Sequence, residues 1–266
     1  MTDKPGIPFV KASACGNDFI LIERTSYDGD IVGLTQAICD RNNGVGADGV
    51  EWLSRGGKAE IAAHLINNDG SYAEISGNGT RCVASYFAEQ SGLANFGVET
   101  GAGVVGCVLT AQEGPRFRFR AAMGVPVVGE PFALDTGAES IVGVPVSLGN
   151  PHFVCLVDEF PADWRELSRR IQGCSARFPE GVNVEFVRIL NEHEIRILIY
   201  ERGAGETMSS GTGSSASASA AIHLGRVNGS VKVNAPGGSQ TVTWDGAGML
   251  ELDGPAHLIC RGEYRL

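Results

Sequence analysis

Short runs of alternating or β-branched apolar residues recur along the chain and predict a strand-rich protein. The runs in the first half cover residues 9–12, 19–23, 49–53, 59–66, 104–111 and 116–121. Those in the second half cover residues 141–147, 152–156, 183–190, 194–200, 230–235, 239–244 and 256–261. Helical periodicity predicts helices over residues 34–40, 79–91, 164–172 and 213–224. The pattern therefore predicts an α+β fold in which strands dominate.

One local pattern occurs twice, because a Ser-Gly-x-Gly turn stands directly before two of the predicted helices. Its serines, Ser76 and Ser210, are 134 positions apart in a chain of 266 residues. A spacing of about half the chain suggests an internal repeat and predicts two similar lobes. A pseudo-twofold axis between such lobes would turn both helix starts toward one cleft.

The start of a helix carries unsatisfied N–H groups and the positive end of the helix dipole, so it attracts carboxylates. The glycines around Asn78 and Thr212 let backbone approach such an anion closely, since they have no Cβ. An amino acid held by its carboxylate between two such turns would present its Cα to Ser76 and Ser210. This arrangement predicts a racemase with two acid/base residues, one for each face of the Cα.

Composition narrows the possible partners of the chain. The net charge of −10 argues against nucleic-acid binding, which needs clustered basic residues, and favours a small-molecule ligand. The seven cysteines are scattered without metal-site or disulfide spacing, and no apolar run has the length of a signal peptide or membrane span. These features predict a cytoplasmic protein without a membrane anchor. The absence of a Rossmann fingerprint, a Walker loop and a metal-ligand cluster predicts chemistry without cofactor or metal.

Six sequence strings together resemble the diaminopimelate epimerase family. They occur in that family's order and span most of the chain: GNDF at 16–19, DRNNGVGADG at 40–49, NNDGSYAEISGNGTRC at 67–82, GNPHFV at 149–154, VNVEF at 182–186 and ERGAGETMSSGTG at 201–213. Each string alone is weak evidence for the family, whereas six strings in the same order exclude a chance resemblance.

The resemblance implies two pseudo-symmetric lobes, each a mixed β-sheet curled around a central helix, with the active site in the interlobe cleft. The N-terminal lobe is expected to span residues 1–120 and to be completed by a C-terminal strand at 257–266. The C-terminal lobe is then expected at 121–256. The resemblance also implies a homodimer.

The resemblance implies that the family's substrate contacts are made here by side chains and backbone groups in both copies of the proposed repeat. These are Asn17, Asn67, Asn150, Asn183, Glu201 and Arg202, with backbone donors at Gly77, Asn78, Gly211 and Thr212. Arg202 suits a second carboxylate, and the asparagines suit a distal ammonium and carboxylate, so the expected substrate is a diamino-dicarboxylic acid. His152 is a supporting candidate, although a buried, hydrogen-bonded histidine is the more common role.

The chain departs from the family at the catalytic pair, because serine stands at both positions where the family has cysteine. A thiol ordinarily titrates near pH 8.5, and a serine hydroxyl is a far weaker acid. The change is open to three interpretations: engineered substitutions, a different natural reaction, or a binding protein that has lost catalysis. The neighbouring Ser214 and Ser215 favour natural serines, since an engineer would have changed only one site there.

The sequence thus supports a cofactor-independent epimerase that interconverts LL- and meso-diaminopimelate in lysine and peptidoglycan precursor biosynthesis. The alternatives are an epimerase, racemase or dehydratase of the same fold acting on another amino or imino acid, and a catalytically disabled diaminopimelate-binding form.

Overall fold

The computed structural model describes residues 6–55 and 57–266. The first five residues of the predicted N-terminal lobe, and residue 56, lie outside the described chain. Backbone contacts divide the chain into two compact units. The first comprises the described residues up to Ala121 together with Gly254–Leu266, and the second comprises Ala122–Asp253.

The first unit is built mainly from strands, with two α-helices and a 3-10 turn at Arg24–Ser26. Its elements are β1 (Ile7–Ala14), β2 (Asn17–Glu23), α1 (Ile31–Cys39), β3 (Gly49–Ser54), β4 (Ile61–Asn67), β5 (Tyr72–Ala73), α2 (Gly77–Ser91), β6 (Asn95–Thr100), β7 (Gly103–Glu113) and β8 (Arg116–Gly124).

A strand from the end of the chain, labelled β18 (Leu250–Tyr264), completes the sheet of this unit. It pairs with β1 and with β8, while the other strands pair in the order β1, β2, β3, β4, β6, β7 and β8. The strands therefore form a closed ring of neighbours. The β2–β3 and β4–β6 pairs are parallel and the other principal pairs are antiparallel, so the sheet is mixed.

Successive side chains of these strands pack against different helices. Leu21 and Leu53 belong to the core cluster around α2, whereas Ile20 and Trp52 belong to the cluster that includes residues of α1. Because both faces of the strands are buried, their sequences read as nearly continuous apolar runs. Helix α2 is accordingly buried along most of its length, from Asn78 to Ala88.

The second unit repeats this organisation with its own elements. They are β9 (Val127–Val128), β10 (Phe132–Asp135), β11 (Ser140–Ser147), β12 (Pro151–Leu156), α3 (Trp164–Gln172), β13 (Asn183–Asn191), β14 (Glu194–Glu201), β15 (Gly205–Thr207), α4 (Gly211–His223), β16 (Ser230–Ala235) and β17 (Gly238–Thr243).

Helix α4 is the central helix of the second unit and contacts strands β11 to β14, β16 and β17. Its buried side chains are small, mostly alanine and serine, which lets the surrounding strands approach its backbone. Helix α3 packs on the other side of the sheet, where Trp164 and Leu167 share a cluster with Phe153 and Phe186. The β12–β13 and β14–β16 pairs are parallel, as are their counterparts in the first unit.

The structure confirms the four predicted helices and the thirteen predicted strand runs, and it differs at several boundaries. Helices α2 and α4 begin two residues before their predicted starts, because the serine of each turn, rather than its second glycine, is the cap. The sequence pattern missed β5, β6, β9, β10 and β15, most of which are very short. None of the described helices is long and apolar enough to cross a membrane.

Gly143 of β11 gives a test of the second unit's packing. A Cβ at this position would lie 2.4 Å from the ring of the fully buried Phe153, so we expect Gly143→Ala to lower the free energy of unfolding by about 1–3 kcal/mol. Gly106→Ala in β7 is the control, since nothing lies within 4 Å of its Cβ position. Urea unfolding of both variants checks this, and equal effects would contradict the packing described here.

Candidate active site

The first Ser-Gly-x-Gly turn forms the start of α2, with Ser76 as the N-cap in extended conformation. The backbone N–H of Gly79 donates to Ser76 Oγ at 3.0 Å, and the N–H of Thr80 donates to the Ser76 carbonyl at 2.7 Å. A serine in this position satisfies helix N–H groups that otherwise lack a partner. The hydroxyl oxygen of Ser76 is thus held at the positive end of the helix dipole.

The second turn forms the start of α4 in the same way. Ser210 is the N-cap, and its Oγ accepts from the N–H of Gly213 at 3.1 Å. Among the described residues, no hydrogen bond is made by the N–H groups of Gly211 and Thr212. Two N–H donors at a helix start are what a substrate carboxylate would bind.

Each turn lies directly against a buried glutamate of the adjacent strand. A Cβ at Gly79 would be 2.1 Å from Oε1 of Glu51, and a Cβ at Gly213 would be 3.0 Å from Oε1 of Glu185. Each such Cβ would also lie within 3.2 Å of the Cβ of the capping serine. A Cβ at Gly79 therefore fits only if Glu51 moves, and Gly213 leaves little space for one, apart from any contact with a ligand.

A chain of polar side chains runs beside the first turn. Asn78 Nδ2 donates to Asn17 Oδ1 at 2.6 Å, and Asn17 Nδ2 donates to Asp48 Oδ2 at 3.1 Å. The guanidinium of Arg81, which is only 2 % exposed, donates to Asn78 Oδ1 and to the carbonyl of Pro255. The two amides are therefore fixed in orientation, because each has its oxygen and nitrogen assigned to definite partners.

In the second unit, a comparable chain connects a buried carboxylate to Ser210. Glu185 Oε1 contacts His152 Nδ1 at 2.7 Å, and His152 Nε2 contacts Asn150 Oδ1 at 3.1 Å. Asn150 Nδ2 lies 3.4 Å from Thr212 Oγ1, which lies 3.4 Å from Ser210 Oγ. Both members of the histidine–glutamate pair are buried, so we interpret the pair as a structural support for Asn150.

Glu201, at the end of β14, also reaches Ser210. The Ser210 hydroxyl donates a hydrogen bond to the Glu201 carboxyl group. Burial raises the pKa of Glu201 above its ordinary value, and the hydrogen bond from Ser210 opposes this shift. A carboxylate in this position can accept the hydroxyl proton of Ser210, a contact that the sequence did not reveal.

Asn183 and Arg202 lie together beside Glu201. The backbone N–H of Arg202 donates to Asn183 Oδ1 at 2.8 Å, and Asn183 Nδ2 donates to the carbonyl of Pro151 at 3.1 Å. The guanidinium of Arg202 donates to the carbonyl of Glu180 and is otherwise exposed, which leaves donors for a ligand.

Asn67 makes local contacts at the end of β4. Its side chain donates to Ser71 Oγ at 3.0 Å, and its backbone N–H donates to the carbonyl of Ser71 at 2.8 Å. These contacts join Asn67 to its own turn and do not link it to the start of α2.

The two turns occupy equivalent positions in their sheets, as the strand registers demonstrate. In the first unit Phe19 pairs with Gly49 and Leu21 with Glu51, and in the second unit His152 pairs with Asn183 and Val154 with Glu185. Glu51 and Glu185 are 134 positions apart, as are Ser76 and Ser210. This shared spacing is the signal by which the sequence could have identified both glutamates. Among the described residues, no group of three or more histidine, cysteine or acidic side chains could hold a metal ion.

Known proteins resemble this chain over nearly its whole length. The family model described as diaminopimelate epimerase matches residues 9–128 and 144–259. The diaminopimelate epimerase of Pelotomaculum thermopropionicum is 36 % identical over 96 % of this chain and 98 % of its own length. That of Moorella thermoacetica is 35 % identical over 97 % of this chain and 99 % of its own length.

Two solved structures share the fold at low sequence identity. A PhzF-family phenazine biosynthesis protein of Bacillus anthracis has a TM-score of 0.74 at 14 % identity, covering 98 % of this chain and 99 % of that protein. A hydroxyproline epimerase of Agrobacterium vitis, with bound trans-4-hydroxy-L-proline, has a TM-score of 0.70 at 17 % identity over 100 % and 93 % of the two chains. The family match and the relatives cover nearly the whole chain. The chain therefore belongs to the diaminopimelate epimerase family.

Proposed function

We propose that this protein interconverts LL- and meso-diaminopimelate by two-base proton transfer at Cα, without a cofactor. Relatives named diaminopimelate epimerase at 35–36 % identity over nearly the full length support this activity. The reaction supplies precursors for lysine and peptidoglycan biosynthesis. The protein acts in the cytoplasm as a homodimer. The single observation that carries the proposal is the repeated helix start with a serine oxygen at its N-cap.

Each serine acts on one face of the substrate Cα. One serine, with its hydroxyl proton already removed, takes the α-hydrogen as a proton while the electron pair of the broken C–H bond moves into the substrate carboxylate. The other serine then donates its hydroxyl proton to the opposite face, which inverts the centre. The backbone N–H groups of Gly211 and Thr212 supply fixed donors for the charge that develops on the carboxylate, and Gly77 and Asn78 hold the equivalent positions of the first turn.

A hydroxyl needs assistance that a thiol does not, because its anion is much harder to form. The N–H of the second glycine of each turn donates to the serine oxygen and so stabilises negative charge on it. At Ser210, the half-buried carboxyl group of Glu201 receives the hydroxyl proton. These contacts support catalysis by serine.

The distal end of the substrate carries a second ammonium and carboxylate. Arg202 binds that carboxylate through its exposed guanidinium, and the amides of Asn183 and Asn150 contribute oxygen and N–H groups on the same unit. Asn17 and Asn67 contribute amides on the first unit. A substrate with amino-acid groups at both ends satisfies this set better than a small imino acid.

The serine pair also supports a second candidate function, a diaminopimelate-binding protein without turnover. In this case the ligand contacts would be retained while the acid/base pair had lost its reactivity. The two candidates differ in one measurable property, the exchange of the substrate α-hydrogen with solvent.

We expect meso-diaminopimelate in deuterium oxide to lose its α-hydrogen NMR signal in the presence of the protein. Ser76→Ala and Ser210→Ala should each slow epimerisation by about 100-fold or more, because each removes one acid/base group. Calorimetric binding without exchange, together with exchange by the Ser76→Cys/Ser210→Cys protein, would select the binding candidate instead. A failure of both the unmodified protein and the Ser76→Cys/Ser210→Cys protein to exchange the hydrogen would contradict the proposed substrate.

Arg202→Gln tests recognition of the distal carboxylate. Loss of a charge-assisted pair should lower kcat/KM by about 10- to 100-fold, mainly through a higher KM. Arg196→Gln is the matched control, since Arg196 is an exposed arginine on β14. Steady-state kinetics of both variants checks this, and equal values of KM would count against the assignment of Arg202.

A further inference from the structure

Arg81 carries a buried positive charge on α2, where it is only 2 % exposed. Among residues 6–55 and 57–266, no carboxylate forms an ion pair with it. Its guanidinium donates instead to the side-chain oxygen of Asn78 and to the carbonyl of Pro255 on β18. A buried charge without an ion pair is costly, and an apolar side chain could fill the same space, so this arginine calls for a functional explanation.

Strand β18 makes room for the guanidinium and holds it. A Cβ at Gly254 would lie 2.8 Å from Nε and 2.9 Å from Cζ of Arg81. The next residue, Pro255, provides the carbonyl that accepts from Nε at 3.3 Å. The guanidinium is therefore fixed between β18 and the first turn of its own helix.

A chain of hydrogen bonds runs from Arg81 through two amides to a carboxylate. Arg81 donates to Asn78 Oδ1, and Asn78 Nδ2 donates to Asn17 Oδ1 at 2.6 Å. Asn17 Nδ2 then donates to Asp48 Oδ2 at 3.1 Å. Every donor points in the same direction, from the cation to the anion, and hydrogen bonds aligned in this way strengthen one another.

The two ends of this chain determine the orientation of both amides. A guanidinium can only donate, so the oxygen of Asn78 must face Arg81. The carboxylate of Asp48, which also accepts from Arg41, can only accept, so the nitrogen of Asn17 must face it. Reversing either amide would place two donors or two acceptors against each other.

This orientation matters at Asn17, which is among the proposed contacts to the distal ammonium and carboxylate of the substrate. Asn17 is half-buried, whereas Asn78 and Arg81 are buried. After its two bonds in the chain, the amide of Asn17 retains one N–H and one lone pair on its oxygen. The N–H can donate to a carboxylate and the lone pair can accept from an ammonium. A reversed amide would present each of them to the wrong group.

The backbone before Asn17 is held by the same arginine. Strands β1 and β2 are joined by the two-residue turn Cys15-Gly16, across which Ala14 pairs with Asn17. Both turn residues have positive φ, 49° and 88°, as in a type I′ hairpin. Cys15 is the one described residue other than glycine with a positive φ, a conformation that such residues rarely adopt. Its thiol accepts a hydrogen bond from Arg81, which therefore contacts the turn as well.

We propose that Arg81 is a positioning residue that determines, through Asn78, the orientation of the Asn17 amide for recognition of the distal amino-acid group, an inference that rests on the proposed function. Arg81 does not itself contact the substrate. An apolar side chain in its place would leave Asn78 Oδ1 unpaired and allow both amides to rotate. Because Asn17 binds substrate and transition state alike, loss of its orientation raises KM and leaves kcat nearly unchanged.

The side-chain amide of Asn17 reports directly on this role in heteronuclear NMR of isotope-labelled protein. Asn17→Asp identifies the two amide protons by the loss of their signals. In Arg81→Met these signals should shift or double, because the amide is no longer fixed. Arg81→Lys retains a charged donor and should restore their positions. Unchanged Asn17 signals in folded Arg81→Met would overturn the proposal.

Gly254→Ala tests the same contact without altering Arg81. Its Cβ requires the guanidinium to move, so the Asn17 signals should shift here too. Gly106→Ala, where nothing lies within 4 Å of the Cβ position, is the matched control and should leave the signals in place. If Arg81→Met does not fold, Gly254→Ala decides the question, and unchanged Asn17 signals in it would overturn the proposal.

Steady-state kinetics with meso-diaminopimelate separates positioning from a structural role. Arg81→Met should raise KM by about 10-fold and change kcat by less than about threefold, and Arg81→Lys should recover most of the loss. A structural role would reduce the folded fraction, so that apparent kcat and Tm fall together while KM stays the same. That pattern, or a shift of the Asn17 signals without a change in KM, would overturn the role in recognition.

The outcomes separate the two proposals. If the unmodified protein exchanges α-hydrogen while Arg81→Met matches its KM and its Asn17 signals, the role of Arg81 is overturned and the proposed function stands. If the unmodified protein exchanges none, the proposed function is overturned, and the NMR signals still decide whether Arg81 orients the Asn17 amide.

Discussion

The close approach of a helix start to a central strand is the constraint on which both candidate half-sites depend. Gly79 has no room for a Cβ unless Glu51 moves, and Gly213 has little, because a glutamate oxygen and the capping serine lie close to each of them. This contact fixes the first turn of each helix relative to the strand beneath it. The serine oxygen, the helix N–H groups and the nearby asparagines then acquire defined positions without further local constraints.

The two units use one backbone arrangement with different side chains. Equivalent strand positions hold Phe19 and His152. A second pair of equivalent positions holds Asn67, which contacts Ser71, and Glu201, which contacts Ser210. Hydrogen-bond donors from a helix start come from the backbone, so both units retain them whatever the side chains are. Proton transfer depends on side chains, and here the units diverge. A repeat of this kind can keep its anion-binding geometry while the acid/base chemistry of each half changes separately.

Much of this organisation could be predicted from the sequence, because strong local signals coincide with it. The duplicated Ser-Gly-x-Gly turn predicted the two central helices, and apolar runs predicted the long strands buried on both faces. Helix α1 begins at Ile31, three residues before its predicted start. The sequence pattern missed this start because the cap, Asp30, precedes a stretch without strong helical periodicity. Glu51 was not recognised, since a single acidic residue in a short strand has the same appearance as a residue facing solvent. Its burial depends on the helix that covers the strand, which is tertiary information.

An epimerase that runs in both directions needs each half to give a proton in one direction and to take one in the other. A group serves both purposes best when its pKa lies near the working pH. A cysteine thiol comes close to this condition unaided, whereas a serine hydroxyl is too weak an acid and an exposed carboxyl group too strong a one. Burial raises the pKa of Glu201, whose carboxyl group receives a hydrogen bond from Ser210, above its ordinary value. A serine coupled to a buried carboxyl group can therefore approach the acid/base balance of a thiol. The raised pKa of Glu201 is then explained as a requirement of proton transfer by Ser210.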